Sequence, residues 1–370
     1  MKLDPVAVSK PIRTAVVGST PRGFGDRAHL PALIASNDFE LLAVCTTNPT
    51  SAQEAAERWN APRWYAGVES LVADSDIELV TIAVRPRFHR EIAEQALAAG
   101  KAVYCEWPLG FNTDDAHLMQ TAAKESGLPT AVSLQGRFAP VLQHMRTLVN
   151  DGTIGEPLTF NCSLQLSGFD VDSDRAWLTK ETEASGALFV ATAHVTDAIA
   201  YVLGDFQKII GINRTLAPDG IFSDTAVPFQ WDTSDTVMYI AELVSGINGI
   251  TSVNNISTPE SGYSFQIIGS DAQLIAKAPS YYQFSPLTLY IGSKDQGFEE
   301  VKCPPGSAHL PTLTPVDPAT NIAYALIDFA NCIRMGKRFR PDFEDALRLH
   351  RIVDGIVRSG ESGNWAEVSN

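Results

Sequence analysis

The sequence predicts an α/β unit, a doubly wound parallel sheet over residues 1–136, followed by an α+β unit over 137–370 built on an open, mostly antiparallel sheet. Three observations predict it. Short apolar runs alternate with helical patterns over the first part of the chain, as a parallel sheet with crossover helices requires. After about residue 150 the pattern changes to strand-like runs separated by turn residues, with few helices between them. The length of 370 residues exceeds one ordinary core and suits two.

Ile12–Gly18 is an apolar run ending in glycine, as a buried first strand should. Arg27–Ser36 carries a helical pattern. Phe39–Cys45 is a second strand, and the Ala/Glu-rich Pro49–Trp59 a helix. Ile77–Val84 is a third strand, followed by a helix over His89–Ala99 that Gly100 closes. Ala102–Cys105 is a fourth strand, Thr113–Ser126 a helix closed by Gly127, and Thr130–Leu134 a fifth strand. The second unit shows strand patterns at Leu158–Ser167, Lys208–Leu216, Ser234–Val244, Gly249–Ser257, Tyr263–Ile268 and Gln273–Ala278. Ala278–Pro318 is proline-punctuated and reads as loop with short strands, and amphipathic helices follow at Asn321–Met335 and Phe343–Ser359.

The loop after the first strand, Gly18-Ser19-Thr20-Pro21-Arg22-Gly23-Phe24-Gly25, departs from G-x-G-x-x-G. Thr20 replaces the second glycine, or an insertion displaces the later ones to Gly23 and Gly25. Its place, after a strand and before a helix in a βαβ unit, points to the dinucleotide-binding loop of a Rossmann fold, where glycine lets the backbone approach a pyrophosphate. The other reading is a glycine-rich structural turn. The second strand ends Thr46-Thr47-Asn48, with no Asp or Glu to bond a ribose 2′-hydroxyl. Those small polar groups, with Arg22, suit a 2′-phosphate, so NADP is expected over NAD. Alternatively Thr46 and Asn48 cap the next helix.

The net charge of −15 argues against nucleic acid or an anionic membrane as a direct partner. Cys45, Cys105, Cys162, Cys303 and Cys332 form no Cys-x-x-Cys pair, which fits a reducing cytoplasm and excludes zinc ribbons. Met1–Pro11 lacks a signal-peptide apolar core, and no apolar run has the length of a membrane span. The histidines and acids show no metal-ligand spacing.

Several segments together resemble the glucose-fructose oxidoreductase / inositol dehydrogenase family. They are His29-Leu-Pro-Ala-Leu33, Arg85-Pro-Arg-Phe-His89, Ala99-Gly-Lys-Ala-Val-Tyr-Cys-Glu-Trp-Pro-Leu109, Arg137-Phe138, Gly186-Ala-Leu with His194-x-x-Asp197, Gly336-Lys337 and Glu344-Asp345-Ala346. The resemblance implies cofactor contacts at Gly18, Ser19, Thr20, Arg22, Gly23, Gly25, Thr46, Thr47, Asn48, Arg85, His89, Glu106, Trp107 and Gln135. Two departures matter. The family's Glu-Lys-Pro is Glu106-Trp107-Pro108, and its Asp-x-x-x-His has Val190 for the acid. An indole only donates a hydrogen bond, so Trp107 cannot replace the proton-transferring lysine. It could stack on a nicotinamide or an aromatic substrate, or simply close the floor of the pocket.

From spacing alone His194 reads as a core histidine of the apolar helix Ala191–Leu203; the resemblance makes it the acid/base group. Asp197, one turn on, could orient the ring or bind substrate, and Lys180 could replace the missing lysine, although a surface lysine is the commoner outcome. The leading expectation is an NADP-dependent oxidoreductase acting on a sugar, polyol or related carbonyl compound, as a homodimer or homotetramer paired through the second sheet. The Glu-Trp pair and Ser133-Leu-Gln-Gly-Arg137 look most like the corepressor branch of the family in the yeast galactose regulon, so the alternative is a non-catalytic NADP-binding regulator.

Overall fold

The computed structural model describes residues 10–168 and 170–368. The expectation of no signal peptide falls largely on Met1–Ser9, outside the described residues. The first unit alternates β1 (Ile12–Val17), α1 (Leu30–Ile34), β2 (Phe39–Cys45), α2 (Pro49–Trp59), β3 (Arg63–Tyr65), α3 (Val68–Val72), β4 (Leu79–Ile82), α4 (His89–Ala98), β5 (Ala102–Glu106), α5 (Thr113–Ser126) and β6 (Thr130–Ser133). The strands lie in the order β3-β2-β1-β4-β5-β6, every pair parallel. Strand order therefore reverses between β1 and β4, where ligands of open α/β sheets bind, beyond the carboxyl ends of the strands. β4 and the second half of β1 are mostly apolar because helices cover both faces of the sheet. Local signals set the helix ends: Asn48 and Asn112 accept the backbone N–H groups of Ser51 and Asp115, and Gly127 closes α5 at φ 65°.

The second unit opens with α6 (Pro140–Asn150) and β7 (Pro157–Gln165). Next come α7 (Ala193–Leu203), β8 (Phe206–Arg214), a small hairpin of β9 (Asp219–Ile221) and β10 (Pro228–Gln230), and β11 (Thr236–Leu243) to β12 (Asn248–Asn254). β13 (Gly262–Gly269), β14 (Ala272–Ala278), β15 (Thr288–Ser293) and β16 (Glu299–Val301) complete the body of the sheet, and α8 (Pro318–Met335), α9 (Phe343–Ser362) and β17 (Ala366–Glu367) end the chain. Nine strands form one sheet, β16-β15-β14-β13-β7-β12-β11-β8-β17, antiparallel except at β7–β12. The expected fold class holds in both units.

The sheet is one-sided. Along β11, Val237, Tyr239, Ala241 and Leu243 point into the core, while Met238 and Ile240 point outward. α7 and α9 share the core cluster beneath the inner face, through Val195, Ile199, Ile352 and Ile356. α8 belongs to the other core. Its Ile322, Leu326 and Phe329 join Leu30, Val44, Leu79 and Tyr104 against the parallel sheet, so the C-terminal segment ties the two units together.

Six of the helices and strands named above, β3, α3, α6, β9, β10 and the two-residue β17, have no counterpart among the expected ones. β3 and α3 are short, and β3 is a partly exposed edge strand without an apolar run. α6 follows Pro140, which favours a helix start, in a stretch read only as the join between units. The β9–β10 hairpin is too short and exposed to alternate clearly.

Candidate active site

The glycine loop is shaped by contact. Gly18 has φ +104°, and a Cβ there would stand 2.3 Å from the Ala83 carbonyl oxygen; a Cβ on Gly25 would stand 2.4 Å from that of Gly18. β1, its loop and the end of β4 therefore close to a distance that only glycine permits. Gly23 donates to Thr20 O at 3.1 Å, and Arg22 sits at φ 65°. Ser19 is fully buried with its hydroxyl on Val16 O, whereas Thr20 is exposed. The Arg58 guanidinium binds Ser19 O at 3.0 Å and Asp26 at 2.9 Å, fixing the loop from α2.

At the end of β2, Thr46 Oγ1 lies 2.6 Å from Ser51 Oγ and donates to Asn48 O, and the Asn48 side chain caps α2. Thr47 is exposed. Arg22 reaches across to Asp172 of the second unit, which Ser223 also binds.

The end of β5 holds the charged centre. Glu106 Oε1 accepts from His29 Nε2 at 2.5 Å. His89, fully buried, lies between Val84 O at 2.9 Å and Pro108 O at 2.9 Å, and burial pushes its pKa down. It pins the β4 and β5 termini together. Arg85, just before it, stacks over Phe88 and Trp177. Trp107 is 5% exposed; its indole donates to Phe189 O at 2.6 Å, and its ring centroid is 4.6 Å from that of His350. Its place is thus structural, locking the turn before α7 onto β5. Val190, in that turn, is 38% exposed.

α7 places His194 where the Glu106 charge acts on it. The ring is 5% exposed, and Nδ1 meets the Gln283 side-chain amide at 2.9 Å. Burial drives its pKa down to about 4, against the pull of the Glu106 charge, so the ring is neutral at pH 7. Asp197 binds Arg137 through both carboxylate oxygens, at 2.6 and 2.9 Å, and holds that guanidinium charged. Asp197 therefore orients Arg137 rather than the imidazole. Gln135 is buried with its Oε1 unpartnered. Lys180 pairs with Asp232 at 3.5 Å, both half exposed, and is not among the groups gathered round His194. Sequence patterns gave no hint of Gln283, Tyr282 or Asp172, which lie in segments without periodicity.

The residues fit a dinucleotide. The loop after β1 packs so closely against Ala83 and itself that Gly18 and Gly25 admit no side chain, as a tight dinucleotide-binding turn requires, and Gln135 Oε1 and His29 Nδ1 are buried polar atoms without partners. Among the described residues no group of three or more His, Cys, Asp or Glu could hold a metal ion, and no helix is long and apolar enough to cross a membrane.

The family model for oxidoreductases with an NAD-binding Rossmann fold matches residues 12–134, and the GFO/IDH/MocA C-terminal domain model matches residues 142–275. The chain belongs to the GFO/IDH/MocA oxidoreductase family. Levoglucosan dehydrogenase of Pseudarthrobacter phenanthrenivorans is 26% identical over 95% of this chain and 97% of its own. A solved levoglucosan dehydrogenase in complex with NADH and levoglucosan shares the fold at TM-score 0.84 and 24% identity, covering 97% of this chain and 99% of that one. So does a super-repressor mutant of Gal80p from Saccharomyces cerevisiae, at TM-score 0.86 and 20% identity, over 97% and 98% of the two chains. The family resemblance read from the motifs thus holds, and a Rossmann nucleotide-binding fold comes with membership of the GFO/IDH/MocA family.

Proposed function

We propose that the chain is an NADP-dependent dehydrogenase acting on a sugar, polyol or related carbonyl compound, with His194 as the proton-handling group. The observation that carries this reading is the buried imidazole of His194 on α7, held by Gln283 at 2.9 Å and close enough to Glu106 at the end of β5 to feel its charge. The cofactor, when bound, supplies the hydride chemistry. The glycine loop with Ser19, Thr20 and Gly23 holds its pyrophosphate, and Gln135 and Glu106 lie towards its reactive end. Arg85 and His89 shape the wall of the cleft. His194 bonds the substrate oxygen and exchanges its proton, Arg137 and Asp197 hold α7 in register, and Trp107 closes the floor of the cleft. Lys180 would need to leave Asp232 to take part.

NADP over NAD is supported by Thr46, Thr47 and Asn48 at the end of β2, where no acid stands, and by Arg22 and Arg58 nearby. Arg22 would exchange Asp172 for a 2′-phosphate. NAD is the alternative. Titration calorimetry should give tighter binding of NADPH than NADH, and Thr46→Asp should reverse the order; tighter NADH binding by the unmodified protein rejects the preference. A panel of sugars, polyols and aromatic carbonyls then tests turnover.

A second reading, an NADP-binding regulator without catalysis, is favoured by Trp107. Its indole is spent on the Phe189 carbonyl where the family's lysine would exchange a proton. Tight NADP binding with no turnover on any of the panel selects it. In either case we propose a homodimer or homotetramer paired through the outer face of the large sheet.

A further inference from the structure

Gln283 lies in Tyr281–Phe284, an aromatic run after β14 that touches His194 twice. The Tyr282 hydroxyl donates to His194 O at 2.9 Å, and the Gln283 amide stands 2.9 Å from Nδ1. Gln283 is 2% exposed, and its backbone carbonyl accepts from Asn321 of α8 at 3.4 Å. Backbone and ring of His194 are thus held by one buried segment.

The chemistry of that contact has two forms. A neutral imidazole carries one N–H, and the partner of one nitrogen decides which. A carboxamide has a donating and an accepting end, and either fits the same place. With the amide NH2 towards the ring, as in the structure, Nδ1 accepts and the proton sits on Nε2. In that form the open nitrogen donates a hydrogen bond to a substrate oxygen but has no lone pair for a proton. With the amide oxygen towards the ring, Nδ1–H donates and Nε2 is free to accept.

We propose that Gln283 is a positioning residue that selects the tautomer of His194, holding the Nε2–H donor form through its NH2 and producing the proton-accepting form when the amide turns. The inference rests on the role proposed for His194 above. In alcohol oxidation the substrate O–H bond breaks and its proton forms an N–H bond at Nε2. A bound oxidised nicotinamide would take the carbinol hydrogen with its electron pair, and the Gln283 oxygen would hold Nδ1–H of the imidazolium so formed. In reduction each step reverses. The charges facing the ring are few among the described residues. Glu106 acts on it from β5, Asp197 on its own helix is engaged by Arg137, and the Tyr282 hydroxyl is engaged by the backbone of His194.

Nitrogen-15 NMR of the full chain with labelled histidine tests this without need of turnover. The unmodified protein should show His194 protonated at Nε2 and bare at Nδ1. In Gln283→Glu the carboxylate only accepts, so the proton should move to Nδ1, the ring's titration midpoint should rise by at least about one pH unit, and the acid limb of the kcat/KM profile should move with it. In Gln283→Met, of similar length without a polar end, both tautomers should coexist. A ring protonated at Nδ1 in the unmodified protein, or the same tautomer in every folded form, overturns the proposal. If Gln283→Glu does not fold, the unmodified protein and Gln283→Met decide it. A tautomer switch in a protein that turns over nothing retires the catalytic reading of His194 and leaves the Gln283 assignment standing.

Discussion

Three residues set what this site can do. Trp107 stands where the family resemblance puts a lysine, and Val190 where it puts an acid, so in the proposed reading proton transfer falls to His194. Trp107 is not an idle replacement: it is buried and bonded to Phe189 O, and it spans from β5 to the turn that delivers His194. His194 is neutral at pH 7 because burial outweighs the attraction of Glu106. If the chain is an enzyme, His194→Ala should lower kcat by roughly 10²–10⁴, the usual contribution of a positioned acid or base. NADP affinity should stay within a few-fold, since no loop contact is lost. Single-turnover kinetics and calorimetry on the same variant check both, and turnover that survives moves the role to Lys180 or to water.

The elements that carry strong periodicity were legible in the sequence. The central parallel strands β2, β4 and β5 are mostly apolar because both faces are largely buried, and α2, α5 and α9 announce themselves through Asn48, Asn112 and Asp342 at their starts. β3, α3 and the β9–β10 hairpin were not, because short edge elements bury too little to impose a period. At the candidate site, His194, Glu106 and the glycines could be singled out because motifs carry them. Gln283 could not, because its contact with His194 exists only where a loop after β14 meets α7. The helices α4 and α9 hold a further consequence. His89 and His350 lie fully buried on them, His350 pushed by burial to about 3, with Trp107 packed beside it. Their folded pKa values lie below the roughly 6.5 of an exposed histidine. The unfolded chain therefore binds protons first as pH falls. Stability is full above about pH 6.5 and is lost below it, by up to about 1.4 kcal/mol per pH unit for each such histidine until its folded pKa is reached. Urea midpoints at pH 7.5, 6 and 5 should fall in that order. His350→Gln should flatten the slope by one histidine's share, and a flat profile in the unmodified protein contradicts the assignment.

At the scale of the whole molecule, α8, which follows the strands of the second sheet, packs on the first, and Trp107 bonds the turn before α7, so glycine loop and imidazole belong to one continuous body. What remains open is the outer face of the nine-stranded sheet. Ile212, Met238, Ile240 and Ile250 are 41–52% exposed there, around a concavity of about 600 Å³ lined by strands β7, β8, β11, β12 and β13 and by the end of α9 at Ser359 and Gly360. Alternation would place polar residues on a sheet face meant for water, and Ser163, Ser252, Ser264 and Gln266 supply only part of it. An apolar face of this extent needs cover, and a second copy related by a two-fold axis presents the same face in return. Under that symmetry each substitution acts twice. Fully burying an exposed Ile side chain is worth about 1.5–3 kcal/mol; Ile240 is 47% exposed, so covering it gains about half of that in each copy, and Ile240→Lys should weaken pairing by about 1.5–3 kcal/mol, a factor of roughly 10–10². The side chain points away from the core, so the fold of each chain should be unaffected. Light scattering at micromolar concentration should then show the unmodified protein as a multiple of the single-chain mass and Ile240→Lys shifted towards one chain; a single-chain mass for the unmodified protein refutes the assembly.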